Sequence, residues 1–171
     1  THLFCDIALN RLENNQPILL FFGNTFDGNQ PIIANMIKQL GLAPISDDEF
    51  LEALNKWGSE YNTRTLIMID AINETEKPKI WQEGIIKFCE QIKSYPNLAL
   101  AMSVRDVEKN KIITDNNEKY IANKIVEVAH KGFEGIEIEA VRTFCEALGV
   151  EFPKVPLHTY RLFVNPGILF L

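Results

Sequence analysis

The chain alternates between continuous apolar runs and amphipathic segments. Three apolar runs bounded by polar or glycine residues predict strands buried on both faces: Ile18–Phe22, Leu66–Asp70 and Leu98–Val104. A fourth run, Ile125–Ala129, alternates between apolar and polar residues and predicts a more exposed strand. The chain therefore has the strands for one small sheet.

Helices are predicted around these strands, where apolar residues recur every three or four positions. One helix begins with a capping box, because Ser46 and Glu49 can each satisfy a backbone N–H at its start. The polar segment 106–124 predicts a surface loop around one short element. The remaining helical segments are Thr1–Asn14, Pro31–Leu40, one starting at Pro78, one containing Ile138–Leu148, and Leu157–Leu171.

This alternation predicts an α/β fold in which a mostly parallel sheet lies between two layers of helices. Parallel strands end at the same edge of a sheet, so the residues after the strands are expected to line up there. These residues are Gly23, Asp70, Arg105 and His130. Ligands of open α/β sheets bind beyond the carboxyl ends of the strands, which makes this edge the predicted functional site.

Two acidic residues stand out at this edge. Asp70 ends a buried strand, where a carboxylate can hold Mg²⁺ beside the phosphates of a nucleotide. Glu74, four residues later, has the chemistry and reach to orient or deprotonate an attacking water. The pattern also fits a buried strand that is simply followed by an acidic loop.

Two further residues have open interpretations. Arg105 follows a buried strand and either faces a phosphate or forms a surface ion pair with Asp106 or Glu108. Asn73 either holds Glu74 through a hydrogen bond across the loop or forms a turn.

Composition narrows the functional classes. Apolar residues make up 46% and charged residues 23% of the 171 residues, as in ordinary globular domains. The net charge of −6 disfavours a general nucleic-acid surface. The apolar runs are much shorter than the ~20 residues of a membrane span. Cys5, Cys89 and Cys145 lack metal-binding spacing, and reduced thiols in a cytoplasmic protein are expected.

The first residue bears on the phosphate site. A P-loop ends in Gly-Lys-Ser/Thr and leads directly into a helix, and the first predicted helix here starts at Thr1. If Gly-Lys preceded it, Thr1 would supply the hydroxyl that binds Mg²⁺ opposite Asp70. Thr1 could equally cap the helix. The start at Thr and the apolar end Ile168–Leu171 predict a piece of a longer protein.

Several segments together resemble the signal-transduction ATPases with numerous domains (STAND), and most of all their bacterial antiviral, NACHT-like members of the Avs type. The resemblance covers nearly the whole chain. Its segments are THLFCDIA, PILLFFG, LIMIDAINE, YPNLALAMSVRD, HKGFEG and FVNPGILFL.

The resemblance implies a role for each matching residue. Thr1 matches the Walker A hydroxyl and Asp70 the Walker B metal residue, so ATP or ADP with Mg²⁺ is the implied cofactor. Glu74 matches the catalytic acid and Arg105 the sensor-1 arginine near the γ-phosphate. Asn73 would belong to the same nucleotide site, and Pro166 resembles the proline of the helical lid that contacts the nucleotide.

The implied fold is a P-loop NTPase-like three-layer sandwich that lacks its first strand and P-loop. Residues 1–152 would form the nucleotide-binding core, and residues 153–171 would begin the small helical lid. By itself, such a fragment is expected to be inactive and prone to aggregate. The full protein would be a cytoplasmic ATPase and antiphage sensor that oligomerises on activation, and regions outside this chain would recognise a phage protein.

Other functions remain open from the sequence. The chain could be a non-hydrolysing α/β module that binds a protein partner, or an ATPase of another, AAA-like type. A P-loop motor acting on nucleic acid is disfavoured, because the chain is acidic and has no basic stripe. Neither direct nucleic-acid binding nor membrane association is expected of this piece.

Overall fold

A computed structural model describes residues 2–129, 131–154, 156 and 158–160. Thr1, His130 and Pro166, and most of the helix predicted over 157–171, lie outside the described residues. Within them the chain has three β-strands and seven α-helices. The strands are β1 (Ile18–Phe22), β2 (Thr65–Asp70) and β3 (Leu98–Met102). The helices are α1 (His2–Glu13), α2 (Ile32–Gln39), α3 (Asp47–Glu60), α4 (Lys79–Lys93), α5 (Lys109–Ile112), α6 (Asp115–Lys124) and α7 (Glu137–Leu148).

The three strands form one sheet in the order β1-β2-β3. Its strands are parallel, as the sequence predicts. Phe22 lies opposite Asp70, and Ile69 lies opposite Met102. Backbone hydrogen bonds continue one residue past β3, because Ser103 N–H donates to the Ile69 carbonyl and Ile72 N–H donates to the Ser103 carbonyl, each at 3.0 Å. The carboxyl ends of the strands therefore meet at one edge.

Helices cover both faces of the sheet. Successive strand residues point to opposite faces, so Ile18 and Met68 pack with Ala8 of α1 on one face. On the other face, Phe21, Ile67 and Ile69 join the main core with α2, α3 and α4. The members of that core contributed by these helices include Ile33, Met36, Phe50, Leu51, Trp81, Ile85 and Phe88.

The helix starts follow from local sequence. The predicted capping box is present, because Ser46 Oγ accepts from Glu49 N–H at 3.2 Å and Ser46 N–H donates to Glu49 Oε2 at 2.9 Å. Pro78 occupies the N-cap of α4 with helical backbone angles. Gly149 ends α7 in the left-handed conformation that glycine adopts without steric cost.

Two sequence predictions were wrong. Residues 125–129 form no strand, and Val126 and Val128 are 87% and 81% exposed, so alternation alone did not produce a paired segment. Residues 106–124 are mainly helical and form α5 and α6. The sequence of these helices is mainly polar. Buried Ile112 anchors α5, and buried Ile121 and Asn117 anchor α6, where Asn117 Nδ2 donates to the Gln82 carbonyl at 2.8 Å.

The chain divides into two compact units, one ending at Ile125 and one beginning at Val126. The described part of the second unit contains α7 and a small cluster of Val141, Cys145 and Tyr160 with Phe152 packed against it. Tyr160 Oη donates to the Pro153 carbonyl at 2.8 Å. The boundary predicted between residues 152 and 153 for a helical lid stays a prediction.

Candidate functional site

Asp70 lies at the carboxyl end of β2, the central strand. It is only 2% exposed, and it shares the α1 face of the sheet with Met68 because strand residues alternate. Ser103 Oγ donates to Asp70 Oδ1 at 2.5 Å. An acid this buried costs free energy unless hydrogen bonds or a cation compensate it, and the Ser103 hydroxyl supplies one such bond.

The turn after Asp70 is strained. Ala71 has φ 53° and ψ 54°, in the left-handed region, which costs an alanine roughly 1–2 kcal/mol. Ala71 N–H donates to Ser103 Oγ at 2.7 Å, and the 3₁₀ turn Ile72–Glu74 follows directly. Backbone strain of this kind persists only where surrounding contacts hold it, and it is concentrated at functional sites.

Asn73 connects the loop after β2 to the loop after β3. Its Oδ1 accepts from Arg105 N–H at 3.0 Å, and its Nδ2 donates to Glu108 Oε2 at 2.6 Å. Asn73 lies within the 3₁₀ turn Ile72–Glu74, and its side chain bonds the Arg105–Glu108 segment, not Glu74 as one interpretation of the sequence expected.

Glu74 and Arg105 contact each other. Arg105 Nη2 lies 3.1 Å from Glu74 Oε1. The side chain of Arg105 is 67% exposed and that of Glu74 is 41% exposed. Such a solvent-exposed pair is worth about 0–1 kcal/mol. Arg105 therefore pairs with Glu74, not with the Asp106 or Glu108 considered from the sequence, and the weak pair leaves both side chains available to a ligand.

The end of β1 approaches the same turn closely. A side chain on Gly23 would place its Cβ 2.1 Å from the Ala71 carbonyl oxygen. Thr75 bridges the two segments, because its hydroxyl lies 2.8 Å from the Gly23 carbonyl and 2.9 Å from the Ile72 carbonyl. The buried indole of Trp81 donates to the same hydroxyl oxygen at 2.7 Å. The turn formed by residues 71–74, called the site turn below, is thus hydrogen-bonded through Thr75 to Trp81 of the core.

The loop that follows β1 is also fixed. Asn35, 2% exposed, accepts from Asp27 N–H at 2.8 Å and donates from Nδ2 to the Asp27 carbonyl at 2.9 Å. Between this loop and the segment of Glu76 and Lys77 lies an open, mainly polar cavity of about 290 Å³. The edge of the sheet therefore offers a polar recess beside β1 as well as the acid at β2.

No protein-family model, curated protein or solved structure matches the chain. None of the helices in the described part of the chain has both the length and the apolar character of a bilayer span.

The structure brings four of the sequence-predicted residues to one edge, namely Asp70, Asn73, Glu74 and Arg105. Thr1 and Pro166 lie outside the described residues, so their predicted roles stay predictions. Sequence reasoning missed Ser103, and it named Glu108 only as a possible ion-pair partner of Arg105. Ser103 carried a usable signal, because it directly follows the apolar run of β3 just as Asp70 completes that of β2.

The donor set at this edge limits which metal could bind. The described residues contain no group of three or more His, Cys, Asp or Glu side chains that could hold a metal ion by themselves. Mg²⁺ is commonly held by one or two carboxylates together with water and substrate phosphates. One carboxylate such as that of Asp70 is the number of protein ligands that such a site requires.

The bond from Asn73 gives a prediction about pH. The pKa of Glu108 lies below its ordinary value of 4.5, first because of the hydrogen bond with Lys111 and second because of that with Asn73. Asn73→Ala is expected to raise this pKa towards 4.5, measured by NMR titration of the Glu108 carboxyl group. A lowered carboxyl pKa stabilises the folded protein above the unfolded-state pKa, and this stabilisation is lost as the pH falls through the folded-state pKa. Because Asn73→Ala removes part of the shift at Glu108, the variant should lose less stability than the wild type on acidification.

Glu49 is the control for this titration. Hydrogen bonds from Ser46, far along the chain, lower its pKa, so Asn73→Ala should leave it unchanged. A Glu108 pKa that is identical in the wild type and the variant would contradict the Asn73–Glu108 bond.

Proposed function

We propose that the chain is the ATP-binding and ATP-hydrolysing module of a STAND-type prokaryotic antiphage sensor. The observation that carries the proposal is the buried Asp70 at the end of the central parallel strand, with Glu74 and Arg105 in contact beside it. These residues supply an acid that could hold a metal ion, an acid that could act on water and a cation, at the edge where α/β sheets bind ligands.

Each residue would have a distinct role. Asp70, with Thr1 as the resemblance implies, would hold Mg²⁺, which supplies neutralisation of phosphate charge when bound. Glu74 would orient and deprotonate the attacking water. Arg105 would leave Glu74 for the γ-phosphate, since a guanidinium binds phosphate oxygens in a bidentate manner. Asn73 would hold the two loops in register.

The finer fold and the partners belong to the same proposal. The strand order β1-β2-β3, with a helix connection between each pair, is compatible with a P-loop NTPase-like sandwich. Self-association on activation, recognition of a phage protein by regions outside this chain and a cytoplasmic location are inferred from the STAND resemblance.

The test is nucleotide binding and hydrolysis by the protein at its full natural length. Fluorescent ATP binding is measured with Mg²⁺ and with EDTA, and phosphate release is followed under the same conditions. The proposal expects binding that Mg²⁺ strengthens, and release of phosphate. Absence of binding in the presence of Mg²⁺ would overturn it.

Arg105 gives a specific prediction. Arg105→Ala is expected to weaken ATP binding about tenfold more than ADP binding, because a hydrogen bond to a charged group is worth about 1.5–3 kcal/mol and only ATP offers the γ-phosphate. Calorimetry with both nucleotides measures the difference. Arg142→Ala is the control, because Arg142 lies over the Phe152 ring in the second unit. Equal losses for ATP and ADP would make Arg105 a structural ion-pair residue.

A non-hydrolysing protein-binding module is the second candidate. The exposed apolar residues Leu3, Leu9 and Leu12 on α1, each 48–61% exposed, favour it. The two candidates differ in the hydrolysis assay, since only the first expects phosphate release that depends on Glu74.

A further inference from the structure

We propose that Ser103 is a positioning residue that fixes the Asp70 carboxylate for Mg²⁺. This inference rests on the proposed nucleotide function and adds a residue to it. Ser103 comes from β3, whereas Asp70 comes from β2, so the link crosses between neighbouring strands at their carboxyl ends.

The direction of each hydrogen bond follows from the chemistry of the groups. Ala71 N–H can only donate, so Ser103 Oγ accepts that bond at 2.7 Å. The serine hydroxyl proton is then directed to Asp70 Oδ1 at 2.5 Å. One hydroxyl therefore serves the strained Ala71 turn and the Asp70 carboxyl group at the same time.

This arrangement fixes the rotation of the carboxylate. A short bond from a hydroxyl to a charged oxygen is among the stronger hydrogen bonds in proteins. The hydroxyl is itself held by the Ala71 amide, and both backbone groups of Ser103 are paired with the β2 segment, its N–H with the Ile69 carbonyl and its carbonyl with the Ile72 N–H. Groups that orient a metal ligand in this way typically affect metal affinity by about 10–100-fold.

The test compares Ser103→Ala with wild type in two measurements. The first is the Mg²⁺ concentration that gives half-maximal strengthening of ATP binding, which is expected to rise about tenfold. ATP affinity in EDTA is expected to be unchanged, because Ser103 acts through the carboxylate. Ser103→Thr keeps the hydroxyl and should restore the wild-type Mg²⁺ requirement. A residue with a purely structural role would lower ATP affinity with and without Mg²⁺ alike.

The second measurement needs no nucleotide. Hydrogen exchange of the Ala71 amide should become at least about tenfold faster in Ser103→Ala, because its acceptor is lost. The Ile72 amide should stay protected, since it donates to the backbone carbonyl of Ser103. Ser94→Ala is the matched control, as the Ser94 hydroxyl donates to the Glu90 carbonyl at 3.0 Å in α4. It should change neither measurement.

The outcomes separate the two proposals. If wild type binds Mg-ATP and Ser103→Ala has the wild-type Mg²⁺ requirement, the positioning role is overturned and the nucleotide function stands. If wild type binds no Mg-ATP, the nucleotide function is overturned and the positioning role falls with it. Faster Ala71 exchange with a raised, threonine-rescued Mg²⁺ requirement supports both.

Discussion

Glutamine in place of Glu74 is expected to leave Mg-ATP binding intact and to lower ATP turnover by about 10²- to 10⁴-fold. That range is the contribution of a general base, which glutamine cannot replace because its amide accepts no proton at neutral pH. Glu74 is 41% exposed in its side chain and its ion pair with Arg105 is weak, so folding should be little affected. Binding is measured by calorimetry and turnover by phosphate release.

Asp70→Asn is expected to weaken Mg-ATP binding itself, because Asp70 is the buried acid that would hold Mg²⁺ under the proposed function. Asparagine keeps the shape of the side chain but removes the charge, so ATP binding should lose its dependence on Mg²⁺. Glu83→Gln is the control, since this acid pairs with Lys79 on the exposed side of α4. Equal losses of binding in Glu74→Gln and Asp70→Asn would contradict the division of roles.

Gly23→Ala is expected to destabilise the fold by about 3 kcal/mol or more, the upper range for overpacking. The new methyl group would lie 2.1 Å from the Ala71 carbonyl oxygen and 2.8 Å from Ile72 Cα. Both atoms belong to the backbone of the site turn, which cannot move aside as a flexible side chain can. The free energy of unfolding is measured by urea denaturation, with hydrogen exchange of Ala71 and Glu74 as a local probe.

Gly84→Ala is the matched substitution. Gly84 lies within α4, and a methyl group there would meet Ile32 Cδ1 at 3.3 Å, the end of a side chain that can adjust. Alanine also has a helix propensity about 1 kcal/mol better than that of glycine. Gly84→Ala should therefore be close to neutral. Similar stabilities for the two variants would show that the β1 end and the site turn are not tightly packed.

The sheet and its acidic edge could be predicted because their signals are local. The runs Ile18–Phe22 and Leu66–Asp70 are continuous and apolar, and each became a strand within one residue of its predicted bounds. Asp70 and Glu74 were identified because acids directly after a buried strand are chemically conspicuous. The capping box at Ser46 was equally readable, since its two partners lie three residues apart.

The remaining features depend on contacts between distant segments. Ser103 reaches Asp70 across 33 positions, and Asn73 reaches Glu108 across 35, so neither bond leaves a spacing pattern in the sequence. Residues 125–129 have a local pattern that predicts a strand, but no strand forms there. Their pattern suits a strand, but a strand also needs a neighbour to pair with, and the sequence alone does not specify one.

The hydroxyl of Thr75 connects the turn after β2 to the fluorescent indole of Trp81. Its single proton can serve only one of two carbonyls, those of Gly23 and Ile72, while its oxygen accepts from the indole of Trp81. Any ligand that shifts the site turn relative to β1 would redistribute that proton and change the polarity felt by the indole. A change of tryptophan emission on addition of a ligand is therefore expected if the ligand moves this turn.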